Sequence, residues 1–327
     1  MLRNRLYYQI KPFVPWRIRI AIRSWLALRK RRRVQEVWPV LPGSEQPPSG
    51  WPGWPDGKKF ALVLTHDVER PEGLAKCRQL AELEIQMGFR SSFNFIPEGP
   101  YAVPAELRTW LADHGFEVGV HDLHHDGRLF ESKAIFRERS LRINEYLRVW
   151  GAAGFRSGFM LNERDWLHEL GILYDSSTFD TDPFEPHPQG RKTIFPSWVP
   201  NVSVEPRLPN GEGSPSRTGY LELPYTLPQD STLFLLLHET TPEIWTKKLD
   251  WIAGHGGMAL VNVHPDYLRF EGDPSSWHTY PVEFYVQFLT HVRQRYADTF
   301  WHALPKDVSL HCRKNLGGTS GSPRKAV

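Results

Sequence analysis

Phe116-Glu117-Val118-Gly119-Val120-His121-Asp122-Leu123-His124-His125-Asp126-Gly127 joins a strand pattern to a histidine cluster. Its first five residues alternate and end in Gly and Val, as a short buried strand does, and Asp126-Gly127 signals a turn. Three imidazoles thus stand just past the carboxyl end of a strand, where α/β folds gather their ligands. His121 and His125 are four residues apart, so one helical turn would bring both rings to one face, in reach of one metal ion. A polar loop with ordinary histidines is the competing reading, and the rest of the chain decides between them.

Outward from this stretch, strand and helix patterns alternate. Phe60-Ala61-Leu62-Val63-Leu64 is a continuous apolar run, as in a buried parallel strand. Further strands are expected at Ser91–Ile96, Phe155–Phe159, Ile172–Tyr174, Tyr220–Leu223, Thr232–Leu237 and Met258–Val263. Helices are expected at Leu74–Met87, Pro104–His114, Glu131–Trp150, Asn162–Leu170, Pro242–Ala253 and Val282–Tyr296. Repeated β–α units of this size imply a parallel sheet, open or closed as a barrel. The Pro- and Gly-rich excursion from Thr181 to Arg217 is long enough to be functional.

Composition narrows the class. Of 327 residues, 40% are apolar and 24% charged, which describes a globular protein able to bury a full core. Thirteen Trp and 28 Pro suggest long loops with aromatic faces, common around carbohydrate sites. Two cysteines, Cys77 and Cys312, make neither a zinc cluster nor a disulfide framework, which fits a reducing compartment. The net charge of +3 conceals an asymmetry: residues 1–33 hold eleven Lys or Arg and no acid, so the remainder stands at −8.

The chain therefore divides into a basic amphipathic segment (1–39), a Pro/Gly-rich linker or wrapping arm (40–57), a catalytic domain (58–305) and a partly disordered tail (306–327). Residues 15–33 can form a helix with Ile18, Ala21, Ile22 and Trp25 on one face and Arg19, Arg23 and Lys30 on another. Two readings stand: an interfacial helix on an anionic membrane surface, or a helix docked on the protein's own body. No apolar run approaches the ~20 residues that span a bilayer, and arginines interrupt any signal-peptide core, so a cytoplasmic protein is expected, peripheral on the inner membrane face if the first of these readings holds. The acidic body disfavours nucleic acid, and no Gly-x-Gly-x-x-Gly or P-loop supports nucleotide binding.

Polar residues close several strands: Thr65-His66-Asp67-Val68-Glu69, His121 with His125, Arg156, Asp175, and His264-Pro265-Asp266. On one rim of a parallel sheet, such a set is how barrel enzymes assemble their sites. In order and spacing these segments resemble the five motifs of the polysaccharide deacetylase (NodB-homology) family, carbohydrate esterase family 4. Leu64–Glu69 is similar to its Thr-Phe-Asp-Asp motif, His121–His125 to His-Ser/Thr-x-x-His, and Arg156-Ser157-Gly158-Phe159 to Arg-x-Pro-Tyr/Phe. Asp175–Phe179 is similar to Asp-Ser-x-x-Trp, and Val261–His264 to an apolar strand closing on His. Val68 replaces the usual second Asp, so Asp67-Val68-Glu69 imitates an Asp-x-Asp variant; Gly158 replaces Pro and Asn262 an apolar residue.

The resemblance, spanning Phe60 to Tyr296, implies a distorted (β/α)7-type barrel with one divalent metal, most often Zn2+, and a carbohydrate substrate. It implies a hydrolase removing an acetyl or other acyl group from an N-acetylated sugar of a polysaccharide or glycolipid, cleaving a non-peptide C–N bond. His121, His125 and Glu69, or Asp67 in its place, would hold the metal. Asp67 would be the base and His264 the acid, with Arg156 pinning Asp67 and Asp175 holding His264 protonated. His124 is expected to stand behind the ligands or face solvent, His66 to pack beneath the site, His238 to be surface, and Trp198 and Phe184 either to stack on sugar or to pack under their own loop. The alternatives are hydrolysis of a non-sugar C–N bond on the same scaffold, or a catalytically degenerate sugar-binding or membrane-associated module.

Overall fold

A computed structural model describes residues 16–185, 190–201 and 218–316 of the chain. Its centre is β1 (Phe60–Val68), nine residues buried throughout. Both faces of this strand are covered, which is why its sequence does not alternate. β1 runs parallel to β8 (Met258–Asn262) on one edge, and to β11 (Phe300–His302) and β2 (Ser92–Phe95) on the other. From β2 the sheet continues in parallel through β3 (Glu117–His121), β4 (Gly154–Arg156), β5 (Tyr174–Asp175) and β7 (Gly219–Glu222), with β6 (Ser197–Pro200) antiparallel at the end. The backbone after β7 returns to β8, where Leu227 N donates to the Leu260 carbonyl, so the sheet curls on itself. The expected distorted β/α barrel is the observed architecture.

Helices join the parallel strands. α2 (Pro71–Met87) begins with Pro, whose missing N–H costs nothing in a first turn, and stops at Gly88 in the left-handed conformation. α3 spans Ala105–Asp113. α4 (Lys133–Trp150) is capped by Ser132, whose hydroxyl accepts from Ile135 N at 3.3 Å. Then follow α5 (Arg164–Leu167), α6 (Glu243–His255), α7 (Glu283–Tyr296) and α8 (Pro305–Leu316), with a two-stranded pair, β9 (Leu268–Arg269) and β10 (Tyr280–Pro281), after β8.

Several expectations change. The apolar run Thr232–Leu237, read as a strand, lies in a π-helix at Ser231–Leu236. A buried apolar run of that length carries no period by which strand and helix can be told apart. The segment 306–327, expected to be a tail, starts as α8, with Val308 and Cys312 buried; residues 317–327 lie outside the described residues, as do 1–15 and parts of the 181–217 excursion. Residues 40–57 wrap the body: Trp51 meets Trp54 and Phe195 edge-on, and Trp54 Nε1 donates to the Gly256 carbonyl at 2.8 Å. α1 (Trp16–Val34) lies against the π-helix, burying Ile20, Ser24 and Ala27. Among the described residues no helix is long and apolar enough to cross a membrane.

Candidate metal and hydrolytic site

The parallel topology brings the carboxyl ends of β1, β3, β4 and β8 to one rim. His121 ends β3 and His125 follows in the loop, with ring centroids 4.8 Å apart. The helical turn expected between them is absent. Instead Asp122 and His125 adopt positive φ (57° and 54°), and this kinked loop brings the rings together. Phe159 and Met160 on the next loop share that uncommon conformation, so four non-glycine residues with left-handed backbone cluster here. Phe159 packs on the His125 ring at 4.4 Å. Gly158 leaves room for this arrangement: a Cβ there would lie 2.6 Å from Asp122 Oδ2 and 2.8 Å from the His125 ring, so one of those side chains would have to shift.

Glu69, His121 and His125 each offer a ligand atom, all within 4.8 Å of one another. His121 Nδ1 donates to the Arg156 carbonyl at 3.1 Å, which fixes its proton there and turns a bare Nε2 toward the cluster. That Nε2 is buried without a hydrogen-bond partner. A buried acceptor left unpaired is costly, so two imidazoles and a carboxylate converging on it fit a divalent cation of the zinc type. Glu69, not Asp67, supplies the clustered carboxylate. Its Oε2 accepts from Tyr267 at 3.2 Å, and its backbone N–H donates to Asp266 Oδ2 at 2.9 Å. Burial opposes its charge, but His125 and then His264 outweigh that and lower its pKa.

Asp67 stands beside the cluster with both oxygens engaged. Oδ1 accepts from Asn94 Nδ2 at 2.9 Å, Oδ2 from Asn262 Nδ2 at 2.8 Å, and Arg156 Nη1 reaches both at 3.3 Å. Burial works against its charge, yet Arg156, His121 and His264 hold the carboxyl well below the usual carboxylate range. The expected Arg156–Asp67 pair is present; the two asparagines are additional. Asn94 lies on β2 without a motif, and Asn262 showed itself only as a polar residue in an apolar strand.

His264 lies close by, its Nε2 3.8 Å from Glu69 Oε1. Its partner is not Asp175. Asp175 accepts from the Ser177 hydroxyl and backbone at 2.5 and 3.1 Å, and burial raises its pKa to about 7. Asp230, immediately before the π-helix, takes the role expected of Asp175. Its Oδ1 accepts from His264 Nδ1 at 2.6 Å, and its Oδ2 from the His264 backbone N–H at 2.7 Å and from the Tyr280 hydroxyl at 3.0 Å. Burial would lower the imidazole's pKa, but Asp230 overcomes it and raises the value to about 10. Asp230 escaped the sequence reading because it precedes a run read as a strand and so was assigned no place on the rim.

The other candidates fall outside this centre. His124 turns outward toward the Glu98 carbonyl. His66, within β1, is fully buried between the Val263 carbonyl and Glu84 Oε1, both at 2.9 Å. His238 is exposed, with Nε2 2.8 Å from the Ser24 hydroxyl on α1. Phe184 packs edge-on against Trp38, and Arg313 lies over Trp198, so both aromatic rings have neighbours in the fold.

Comparison with solved structures identifies this architecture. A proposed polysaccharide deacetylase from Mycobacterium smegmatis superimposes with a TM-score of 0.55 at 19% identity, over 85% of this chain and 99% of that one. The chain has the polysaccharide-deacetylase fold. Looser likenesses include a chitin deacetylase from Colletotrichum lindemuthianum (TM-score 0.45, 13% identity, 83% and 91% coverage) and a family 4 carbohydrate esterase from Streptomyces lividans (0.42, 10%, 75% and 93%). No family model and no curated protein matches the sequence. Within this polysaccharide-deacetylase fold, α2 bears directly on the cluster: Gly73 packs so tightly on the Asp266 carboxylate that an added Cβ would overlap it. Gly73→Ala is therefore expected to displace Asp266, release the Glu69 backbone and weaken metal binding roughly 10–100-fold while leaving both imidazoles in place. Competition with a chromophoric chelator measures this, and an unchanged affinity would show that Asp266 does not position Glu69.

Proposed function

We propose that the chain is a metal-dependent hydrolase, with zinc as its cation, that removes an acetyl group from an N-acetylated sugar of a polysaccharide or glycolipid. The observation that carries this reading is the convergence of Glu69, His121 and His125 on one point with Asp67 and His264 beside it. The substrate class comes from the mycobacterial neighbour of the same fold, described as a proposed polysaccharide deacetylase.

Glu69, His121 and His125 would hold the cation. When bound, a divalent cation polarises the acyl carbonyl and acidifies a water. Asp67, kept ionised by Arg156, would take the proton of the attacking water; the 3.3 Å contacts from Arg156 are the long ones and the readiest to yield to it. Asn94 and Asn262 fix the orientation of the carboxylate meanwhile. His264, protonated and held by Asp230, passes its Nε2 proton to the departing sugar amine. Acetate and the free amine leave, and the proton taken by Asp67 is released as His264 regains one from solvent, which balances the reaction.

Acetate release from N-acetylated sugar oligomers tests the reading. Activity is expected to vanish after dialysis against a chelator and to return with Zn2+. Acetate release that chelation does not touch would remove the metal from the reaction, and release only from non-sugar amides would replace the substrate.

A further inference from the structure

Ten large apolar side chains stand exposed among the described residues, and six of them lie between Ile18 and Val37: Ile18, Ile22, Trp25, Leu26, Leu28 and Val37. α1 docks by its opposite side, where Ile20, Ser24 and Ala27 recur at helical spacing. That contact uses Ile20 with two small side chains and leaves most of the bulky ones outside, with Trp25 59% exposed. One turn further on, the same outward side continues as Arg29, Arg32 and Arg33, all exposed. Isolated exposed apolar residues are ordinary, but a contiguous patch marks an interaction surface.

Charge selects the occupant. The first 33 residues hold eleven basic residues and no acid, so two copies of this helix would repel each other. Apolar residues with a Trp, on a helix whose charged residues are all Arg or Lys, suit the boundary between headgroups and acyl chains of a negatively charged bilayer. We propose that the outward face of α1 seats this protein on an anionic lipid surface. The seat is part of the fold and not a loose tether. The Ser24 hydroxyl donates to the Leu236 carbonyl at 2.8 Å, Arg31 pairs with Glu239, and Lys30 donates to the Pro183 carbonyl. The π-helix it packs on starts beside Asp230, the partner of His264, so the rim and the lipid-facing helix belong to one packed unit. The inference stands apart from the deacetylase reading, and its test involves no activity.

The full chain is sedimented with vesicles of phosphatidylcholine alone and of phosphatidylcholine mixed with phosphatidylserine. Binding is expected to the mixed vesicles, weakly or not at all to the neutral ones, and to fall as salt rises. R29Q/R32Q/R33Q should weaken it by roughly two orders of magnitude. I22Q/W25Q should abolish it with little change in thermal melting, because each residue is more than half exposed. Equal binding to both vesicle types, absence of binding, or binding retained by I22Q/W25Q overturns the proposal. So does a dimer that I22Q/W25Q separates, since the face then receives a second copy, and so does lowered melting of I22Q/W25Q, since the face is then covered by the chain itself.

Discussion

Replacing His121 and His125 together by alanine is expected to eliminate bound metal and to lower acetate release roughly a thousandfold or more. Lewis-acid assistance is worth several kcal/mol of transition-state stabilisation, and each 1.36 kcal/mol is a factor of ten. The change removes two of the three clustered ligand atoms while leaving Glu69, Asp67 and His264 in place. A buried histidine pair with a purely packing role behaves differently: its loss lowers the melting temperature but spares turnover in the molecules that remain folded. Metal content by plasma emission, together with turnover per folded molecule, separates the two. Full activity in the double variant would sink the hydrolase reading.

Much of this centre was legible because its members sit at strand ends, where chain order and three-dimensional order coincide. A parallel sheet delivers every carboxyl end to the same rim, so once 60–64, 116–120 and 258–263 read as strands, Asp67, His121 and His264 fell on one rim, while which of them meet came from the resemblance and not from the pattern. The geometry inside the His121–His125 loop was not legible. Four-residue spacing suggests a helical turn, whereas positive φ at Asp122 and His125 comes from tertiary packing against Gly158 and Phe159. Asp230 was hidden for a related reason. The buried run after it has no polar period, and its π-helical path depends on α1 on one side and on Phe284 and Trp245, packed against Phe234, on the other. Asn94 and Asn262 are ordinary residues whose importance lies only in where Asp67 points.

Exchanging Asp230 for asparagine should make the reaction newly sensitive to alkaline pH. In the native chain burial favours neutral His264, and the neighbouring Asp230 carboxylate more than reverses this, bringing the pKa to about 10 against ~6.5 for a free imidazole. The acid therefore stays charged through the neutral range. A cation at Glu69 would draw the value down, so native enzyme and variant are compared under one metal load. In Asp230→Asn the largest force opposing burial is gone, leaving only Glu69 and Asp67 to favour the charged ring, so His264 is expected to lose its proton at a much lower pH. The variant should be modestly impaired at pH 6 and about a hundredfold slower at pH 8, the scale on which general acids operate. Stability carries the same sign. A raised folded-state pKa contributes stability that is complete below ~6.5 and disappears as pH climbs through about 10, so native protein and variant should differ most in denaturant midpoint at pH 6 and converge toward pH 10. A purely structural Asp230, anchoring the His264 backbone and the Tyr280 hydroxyl, predicts another pattern: a loss of activity and stability that is constant across pH. The slope of the difference with pH, rather than its size at any one value, distinguishes a residue that keeps the acid charged from one that only holds a loop.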